Sequence, residues 1–188
     1  MRVAMFGGSF DPVHVGHLFV AEEARINFGY DRIVFVPAFQ PPHKSGPPAA
    51  PAPQRVRMLQ LALSGREDFD TDTWELDQGG ISYTIDTVRY LYDNLQIDGQ
   101  LGLIIGDDLL EGFHTWRDSE ILEQIVDVLV ATRGTEGDLP EGYRAIDNSP
   151  LPVSSSDVRA RVKAGRAYRY LVPESVYGHI QENALYRG

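Results

Sequence analysis

Two histidines stand three positions apart near the start of the chain, shortly after a pair of glycines. His14 and His17 are two of the five histidines in the sequence, and they follow Gly7 and Gly8 in the segment "FGGSFDPVHVGH". The spacing puts both imidazole rings on one side of the first turn of a helix, where backbone N–H groups and the helix dipole favour an anion. Glycine lets the backbone approach such a ligand closely. The segment therefore predicts a phosphate site.

The histidine pair could also serve a role that involves no phosphate. Histidines can cap a helix or lie on the surface without any ligand. Zinc normally takes three or more protein ligands, and no third ligand at helical spacing completes this pair. A dinucleotide fingerprint needs the spacing G-x-G-x-x-G, which "GGSFDP" lacks. The double glycine favours the phosphate site, in which Gly16 would leave room for a phosphate or a base against the backbone.

The elements around this motif predict the first unit of a parallel sheet. Residues 1–6 form a mostly apolar run that the glycines end, residues 17–28 predict a helix closed by Gly29, and residues 33–36 predict a second buried strand. A strand-helix-strand unit implies parallel strands. Because ligands bind beyond the carboxyl ends of such strands, the histidine motif lies where a ligand is expected.

The rest of the chain continues to alternate between strands and helices. We predict helices over 54–63, 84–95 and near 119–125, and strands over 73–76, 101–105 and 127–132. Residues 37–54 are rich in proline, which predicts a long functional loop, with a domain linker as the alternative. The pattern predicts an α/β, Rossmann-like, doubly wound parallel sheet with helices on both faces and a small helical C-terminal part, in a single domain over 1–188.

Composition and charge narrow the possible functions. The 188 residues contain 43% apolar residues, enough for one sizeable core, and no cysteine, which excludes disulfides, thiolate zinc sites and cysteine nucleophiles. The net charge of -10 repels nucleic acid, and no apolar run approaches the roughly 20 residues that span a bilayer. We expect a cytoplasmic protein without nucleic-acid or membrane partners; a homo-oligomer is compatible with the sequence.

A second candidate anion site lies near the end of the chain. In "VSSSDVRARV", residues 153–162, a serine run opens a predicted helix and Arg159 follows about a turn later. A serine run is ordinarily a helix N-cap. The same arrangement of hydroxyls, N–H groups and a planar guanidinium can also bind an anion. The spacing leaves both roles open.

Together these motifs resemble the nucleotidylyltransferase superfamily. Residues 14–17 match its HxGH motif after "GGSFDP", and residues 153–162 resemble its ISSTxIR motif, with Ser156 at the usual threonine. The resemblance implies that His14, His17 and Arg159 are catalytic and stabilise charge on the phosphates of ATP. The ATP-binding residues that it implies are Gly7, Gly8, Ser9, Phe10, His17, Gly106, Asp108, Ser154, Ser156 and Arg159.

Further segments resemble one family within this superfamily, the bacterial nicotinate-nucleotide adenylyltransferases. They are "PPHK" (41–44), "GGISYTIDTVRYL" (79–91), "IIGDD" (104–108), "FHTW" (113–116) and the stretch 170–186. The resemblance implies that Lys44 approaches the acceptor phosphate, that backbone groups of Tyr83 and Thr84 bind the pyridine carboxylate, and that Trp116 stacks on the ring. Taken singly, Tyr83 could be a strand aromatic, Thr84 a helix cap and Trp116 a packing residue.

The implied activity is the transfer of the adenylyl group of ATP to nicotinate mononucleotide, which yields nicotinate adenine dinucleotide and pyrophosphate for NAD biosynthesis. Mg²⁺ would be carried by the ATP phosphates, and no metal site made by the protein is expected. Where the family commonly has Arg-Pro-Gly, this chain has Arg133, Gly134 and Thr135, so a contact of Arg133 with the nucleotide stays open. The alternatives are a sister enzyme such as pantetheine-phosphate adenylyltransferase and a nucleotide-binding regulatory module without turnover.

Overall fold

A parallel sheet runs through the middle of the protein. The structure is a computed structural model that describes residues 1–41, 46–132 and 138–187. Within those residues six strands form the sheet in the spatial order β3-β2-β1-β4-β5-β6, and every neighbouring pair is parallel. The strands are β1 (Val3–Gly8), β2 (Arg32–Pro37), β3 (Phe69–Thr71), β4 (Leu101–Gly106), β5 (Val126–Ala131) and β6 (Arg144–Ile146). The predicted doubly wound parallel sheet is confirmed.

Helices cover both faces of this sheet. They are α1 (Val15–Phe28), α2 (Ala52–Leu63), α3 (Trp74–Gln78), α4 (Thr84–Asn94), α5 (Leu110–Phe113), α6 (Ser119–Ile125), α7 (Ser155–Lys163) and α8 (Glu174–Glu182). Short 3₁₀ turns occupy Asp107–Leu109 and Arg169–Leu171. None of the helices in the described parts of the chain is both long and apolar enough to span a membrane.

Each face of the sheet has its own apolar core. On one face α1, α2, α7 and α8 bury their apolar side chains, among them Ala24, Met58, Val158 and Ile180. On the other face α4, α5 and α6 do the same. Since strands covered on both sides are apolar throughout, this arrangement explains why the strand runs lack a polar alternation. The late helices α7 and α8 therefore pack in the same core as α1 and α2.

The prediction of a strand over residues 73–76 is wrong. The strand of this region lies earlier, at Phe69–Thr71, and Trp74 begins α3. Asp72 accepts a hydrogen bond from the backbone N–H of Trp74 through its side chain at 2.8 Å, and Gly79, with φ 68°, ends the helix. Three or four apolar residues cannot distinguish a strand from a helical turn. The short elements β6 and α5 were not predicted, whereas α8 lies in the predicted helical C-terminal part, for which no bounds were given.

The two glycines continue β1 instead of ending it. Gly7 and Gly8 pair with Val36 and Pro37 of β2. The sharp turn comes two residues later, at Phe10, whose φ is 46°. A Cβ on Gly8 would lie 3.1 Å from the ring of Phe10, so the glycine makes room for that buried ring.

A third glycine is required by packing alone. A Cβ on Gly102 in β4 would lie 2.6 Å from the ring of the buried Tyr30 and 2.8 Å from the Cβ of Ala4. We expect Gly102→Ala to lower the free energy of unfolding by about 1 to 3 kcal/mol through overpacking. Chemical denaturation measures this change. The control is Gly178→Ala in α8, where a Cβ meets no atom within 4 Å and should leave stability equal or higher; an equal loss in both variants would contradict the packing argument.

Candidate active site

A cavity of about 680 Å³ opens at the carboxyl ends of β1, β4 and β5. It lies at the point where the strand order reverses, between β1 and β4, which is the ligand position of doubly wound sheets. Two candidate residues, Lys44 and Arg133, lie outside the described residues. The other candidates all line the cavity: Gly7, Gly8, Ser9, Phe10, His14, His17, Tyr83, Thr84, Gly106, Asp108, Trp116, Ser154, Ser156 and Arg159.

The histidine pair opens α1 at the edge of this cavity. His14 is the N-cap residue, and its ring stacks on that of His17 with centroids 3.6 Å apart. The backbone N–H of His14 donates to Nδ1 of His17 at 3.2 Å. Because Nδ1 accepts, the neutral His17 ring carries its proton on Nε2, which is then a hydrogen-bond donor. The side chain of His17 therefore caps the helix through Nδ1 and also lines the cavity.

Aromatic rings and a glycine fix the position of the pair. The ring of Phe10, which is buried, lies 5.1 Å from the ring of His17. A Cβ on Gly16 would come within 2.9 Å of the Cγ1 atom of Val153 and 3.1 Å of the His14 ring. Val153 and His14 therefore occupy the space into which a Cβ on Gly16 would project, while Gly16 also lines the cavity. The glycine allows the segment before α7 to pack against α1.

The serine run docks the start of α7 onto the segment that follows β1. Ser154 caps the helix, since its Oγ accepts from the backbone N–H of Asp157 at 3.1 Å. Ser155 donates through its hydroxyl to the carbonyl of Pro12 at 2.9 Å. The N-cap interpretation of the serines is correct in this respect. Ser155, which sequence reasoning did not select, joins the two motifs directly.

Arg159 strengthens the same connection. Its Nη1 donates to the backbone carbonyl of Asp11 at 2.6 Å, and its Nη2 donates to Oγ of Ser156 at 3.3 Å. The side chain of Arg159 stays 31% exposed. A guanidinium has five N–H groups, so donors remain for an anion in the cavity. The two candidate anion motifs, some 140 residues apart in sequence, thus share one site.

The opposite part of the cavity is built on the start of α4. Tyr83 is the N-cap residue and Thr84 the first residue of that helix, so their backbone N–H groups have no intrahelical partner. Trp116 is half-buried and packs on the ring of Phe113. Arg117, which was not predicted, lies 4.9 Å above the ring of Tyr83 and lines the cavity. This part offers N–H donors, a flat aromatic face and a cation.

A buried glutamate holds the turn before α4. Glu75 is 6% exposed and accepts a hydrogen bond from Thr87 Oγ1 at 2.6 Å. Burial raises the pKa of Glu75, and hydrogen bonds from Thr87 and Ser82 oppose that rise. The hydroxyl oxygen of Ser82 also accepts from the N–H of Phe39 at 3.0 Å. The turn is therefore fixed both to α4 and to the segment after β2.

The ends of β4 and β5 complete the cavity wall. Gly106 is the last residue of β4, and Asp108 is exposed in the 3₁₀ turn that follows. Asn148, which is buried, forms two 3.0 Å hydrogen bonds with the backbone of Thr132, one from its amide group and one to its carbonyl oxygen. Sequence reasoning missed Asn148, because a lone asparagine two residues before a proline predicts only a turn.

Comparison with known proteins agrees with this architecture. The sequence model of the family described as cytidylyltransferase-like matches residues 5–161. That range begins in β1, contains both anion motifs and ends within α7. The chain belongs to the cytidylyltransferase-like family of nucleotidyltransferases.

Similar chains identify the branch of that family. The chain is 38% identical to a probable nicotinate-nucleotide adenylyltransferase from Thermus thermophilus, over 100% of each chain. It is 37% identical to one from Borreliella afzelii, over 99% of this chain and 97% of the relative. The chain therefore belongs among the nicotinate-nucleotide adenylyltransferases.

A solved structure supports the fold independently. The nicotinic acid mononucleotide adenylyltransferase of Plasmodium falciparum, complexed with NaAD, superposes with a TM-score of 0.79 at 18% identity. The superposition covers 98% of this chain and 97% of that chain. At this identity the likeness concerns the fold.

Proposed function

We propose that the protein transfers the adenylyl group of ATP to nicotinate mononucleotide and forms nicotinate adenine dinucleotide and pyrophosphate, a reaction of NAD biosynthesis. One observation carries the proposal: the HxGH pair of α1, Arg159 of α7 and the N–H donors of α4 all line one cavity. The names of the relatives support the same reaction. The shared cavity supplies both a phosphate subsite and a separate acceptor subsite.

The reaction requires positioning more than proton transfer. A phosphate oxygen of the mononucleotide attacks the α-phosphorus of ATP, and the bond from that phosphorus to the bridging oxygen breaks as pyrophosphate leaves. The attacking phosphate is already an anion near neutral pH, so it needs no general base, and no covalent enzyme intermediate forms. His14 and His17 stabilise the charge that grows on the α-phosphate. Their fixed stacking means that little reorganisation accompanies the reaction.

The remaining ATP contacts follow from the elements around the histidines. Ser154, Ser156 and Arg159, at the start of α7, bind the leaving β- and γ-phosphates. Gly106 and Asp108 lie under the ribose. The end of β1 and the residues that follow it form the floor on which the nucleotide rests; they are Gly7, Gly8, Ser9 and Phe10.

Residues at the start of α4 and in neighbouring segments contact different parts of the acceptor. Backbone N–H groups of Tyr83 and Thr84 bind the pyridine carboxylate, and Trp116 stacks on the ring. Lys44 approaches the acceptor phosphate from the proline-rich segment. Arg117, which was not among the residues selected from the sequence, lies over the ring of Tyr83 and pairs with Asp86 at 3.2 Å.

Magnesium enters this proposal as part of the MgATP substrate. Mg²⁺ usually keeps several waters and binds substrate phosphates with few protein ligands. In residues 1–41, 46–132 and 138–187 no group of three or more His, Cys, Asp or Glu side chains could hold a metal ion. We place the reaction in the cytoplasm, where ATP is available and a chain without cysteine has no need of an oxidising compartment.

Arg159→Lys tests the phosphate side of the site. Lysine keeps the positive charge but loses the planar fork, so it cannot bond Asp11 and Ser156 and also bind a phosphate through two N–H groups. We expect the KM for ATP to rise by about tenfold while the KM for nicotinate mononucleotide changes less than about twofold. Steady-state kinetics with each substrate varied in turn measures both values. An equal rise in the KM for ATP and the KM for nicotinate mononucleotide would contradict the division of the cavity into a phosphate subsite and an acceptor subsite.

A panel of acceptors tests the function itself. The purified protein is incubated with MgATP and, separately, nicotinate mononucleotide, nicotinamide mononucleotide and 4′-phosphopantetheine, and the products are identified by mass. We expect the fastest turnover with nicotinate mononucleotide. Preferred turnover of phosphopantetheine would establish the sister activity, and ATP binding without any turnover would establish a regulatory module.

A further inference from the structure

The carboxylate of Asp11 is buried where three distant segments of the chain meet. It is 3% exposed and lies in the segment after β1. Oδ2 accepts from the backbone N–H of Ala49 at 2.7 Å, and Oδ1 accepts from that of Ala50 at 3.0 Å. Oδ1 also accepts from the hydroxyl of Tyr186 at 2.7 Å. The proline-rich segment and the segment after α8 are therefore both tied to one side chain at the cavity.

Two arginines balance this buried charge. Arg159 Nη1 lies 3.9 Å from Oδ2 of Asp11, and Arg55, which is 1% exposed, donates to the carbonyl of Ser9 at 2.8 Å. Burial lowers the pKa of Arg55, and the negative charge of Asp11 opposes that shift. A buried carboxylate is strongly destabilising unless charges and hydrogen bonds compensate it. Two cations and one carboxylate leave a net positive charge beside the phosphate subsite.

The contact of Tyr186 is maintained in spite of backbone strain. Tyr186 has a φ of 65° and Ala184 a φ of 50°, both in the left-handed region that disfavours residues with a Cβ. Burial and the charge of Asp11 raise the pKa of Tyr186, so its hydroxyl stays protonated and donates. Tyr186 itself does not line the cavity. Its hydrogen bond reaches the site only through Asp11.

We infer that Asp11 and Tyr186 are positioning residues that keep the guanidinium of Arg159 available for the pyrophosphate part of ATP. The donors from Ala49, Ala50 and Tyr186 occupy three of the roughly four lone-pair positions of the carboxylate. The main contact between the two residues is therefore the hydrogen bond from Arg159 Nη1 to the backbone carbonyl of Asp11. The carboxylate oxygen Oδ2 of Asp11 lies farther from Nη1, at 3.9 Å. Without the tyrosine hydroxyl, Oδ1 keeps only the N–H of Ala50 as a donor, so the carboxylate draws Arg159 into a closer ion pair, which competes with the phosphates.

Tyr186→Phe is the variant that tests this inference, which rests on the proposed function. It removes one hydroxyl and keeps the ring, so the apolar packing stays. We expect the KM for ATP to rise about 5- to 10-fold, and the Kd for a nonhydrolysable ATP analogue, measured by calorimetric titration, to rise by the same factor. The KM for nicotinate mononucleotide should change less than about twofold, because the acceptor subsite lies on α4.

The matched control is Tyr168→Phe. Tyr168 is buried, and its hydroxyl accepts a hydrogen bond from Gln181 on α8, away from the cavity lining. We expect this variant to lose similar stability by thermal melting but to keep the wild-type KM and Kd for both nucleotides. A merely structural role of Tyr186 would make the two variants behave alike, and that result overturns the inference.

The calorimetric titration separates this inference from the proposed function. If the wild-type protein binds the ATP analogue but turns over no mononucleotide, the proposed function fails, while a weaker Kd in Tyr186→Phe still supports the positioning role. Equal Kd values in wild type and Tyr186→Phe overturn the positioning role even if turnover is normal. A wild-type protein that does not bind the analogue overturns both.

Discussion

His17→Ala should lower kcat by about 100-fold or more with a smaller change in the KM for ATP. In the proposed mechanism His17 stabilises charge that grows on the α-phosphate during the attack, so the lost interaction belongs mainly to the transition state. The ring is held by the hydrogen bond from the His14 backbone N–H to Nδ1 and by the Phe10 ring, which together orient Nε2–H as a donor. Presteady-state and steady-state turnover with saturating substrates measure the loss.

The same variant also removes a helix-capping interaction, so its folding must be followed separately. We expect a loss of about 1 kcal/mol in the free energy of unfolding, which leaves the protein folded at the assay temperature. His114→Ala is the control, because that side chain is exposed and does not line the cavity. It should retain wild-type kcat. A His17→Ala protein with unchanged turnover would refute the assignment of this residue to the α-phosphate.

The second large effect is a preference for the acid over the amide of the mononucleotide. In the proposed acceptor subsite, the N–H groups at the start of α4, which have no intrahelical partner, would give a pyridine carboxylate charge-assisted hydrogen bonds at both oxygens. The amide presents an NH2 group to these donors, so it satisfies them poorly. Two poorly satisfied donors at roughly 1 to 3 kcal/mol each predict a preference in kcat/KM from tens-fold to more than a thousandfold.

Two substitutions locate that preference in the backbone. Thr84→Ala should erode it only partly, because the main-chain N–H remains. Thr84→Pro deletes the N–H at the first helical position, where proline is otherwise tolerated, and should reduce the preference further without breaking α4. The measurement is kcat/KM for both mononucleotides at saturating ATP in all three proteins. Comparable wild-type values for acid and amide would instead describe an adenylyltransferase of dual specificity.

The long elements of the fold were predictable because each one repeats a simple pattern. The runs 33–36, 101–105 and 127–132 are apolar enough to be buried strands, and all three lie in β2, β4 and β5 with shifts of one residue at most at their ends. The short elements were not predicted correctly, because hydrogen bonds from nearby side chains determine where they begin. Asp72 starts α3 within a stretch whose few apolar residues fit a strand equally well.

The polar framework of the site was harder to predict than its motifs. The HxGH pair and the serine run are contiguous in sequence, so their residue types are informative on their own. The bonds from Tyr186 to Asp11 and from Thr87 to Glu75 join residues 175 and 12 positions apart. No periodicity marks a polar residue whose partner is distant, so these contacts emerge only from the fold.

The most direct test of the proposed reaction follows the α-phosphate. The purified protein is incubated with Mg²⁺, nicotinate mononucleotide and ATP labelled at the α-phosphate. The products are separated and identified by mass, and the label in each is measured. The account predicts that the label moves into nicotinate adenine dinucleotide while one unlabelled pyrophosphate is released for each dinucleotide. Label found in AMP, or released as pyrophosphate, with no dinucleotide formed would contradict it.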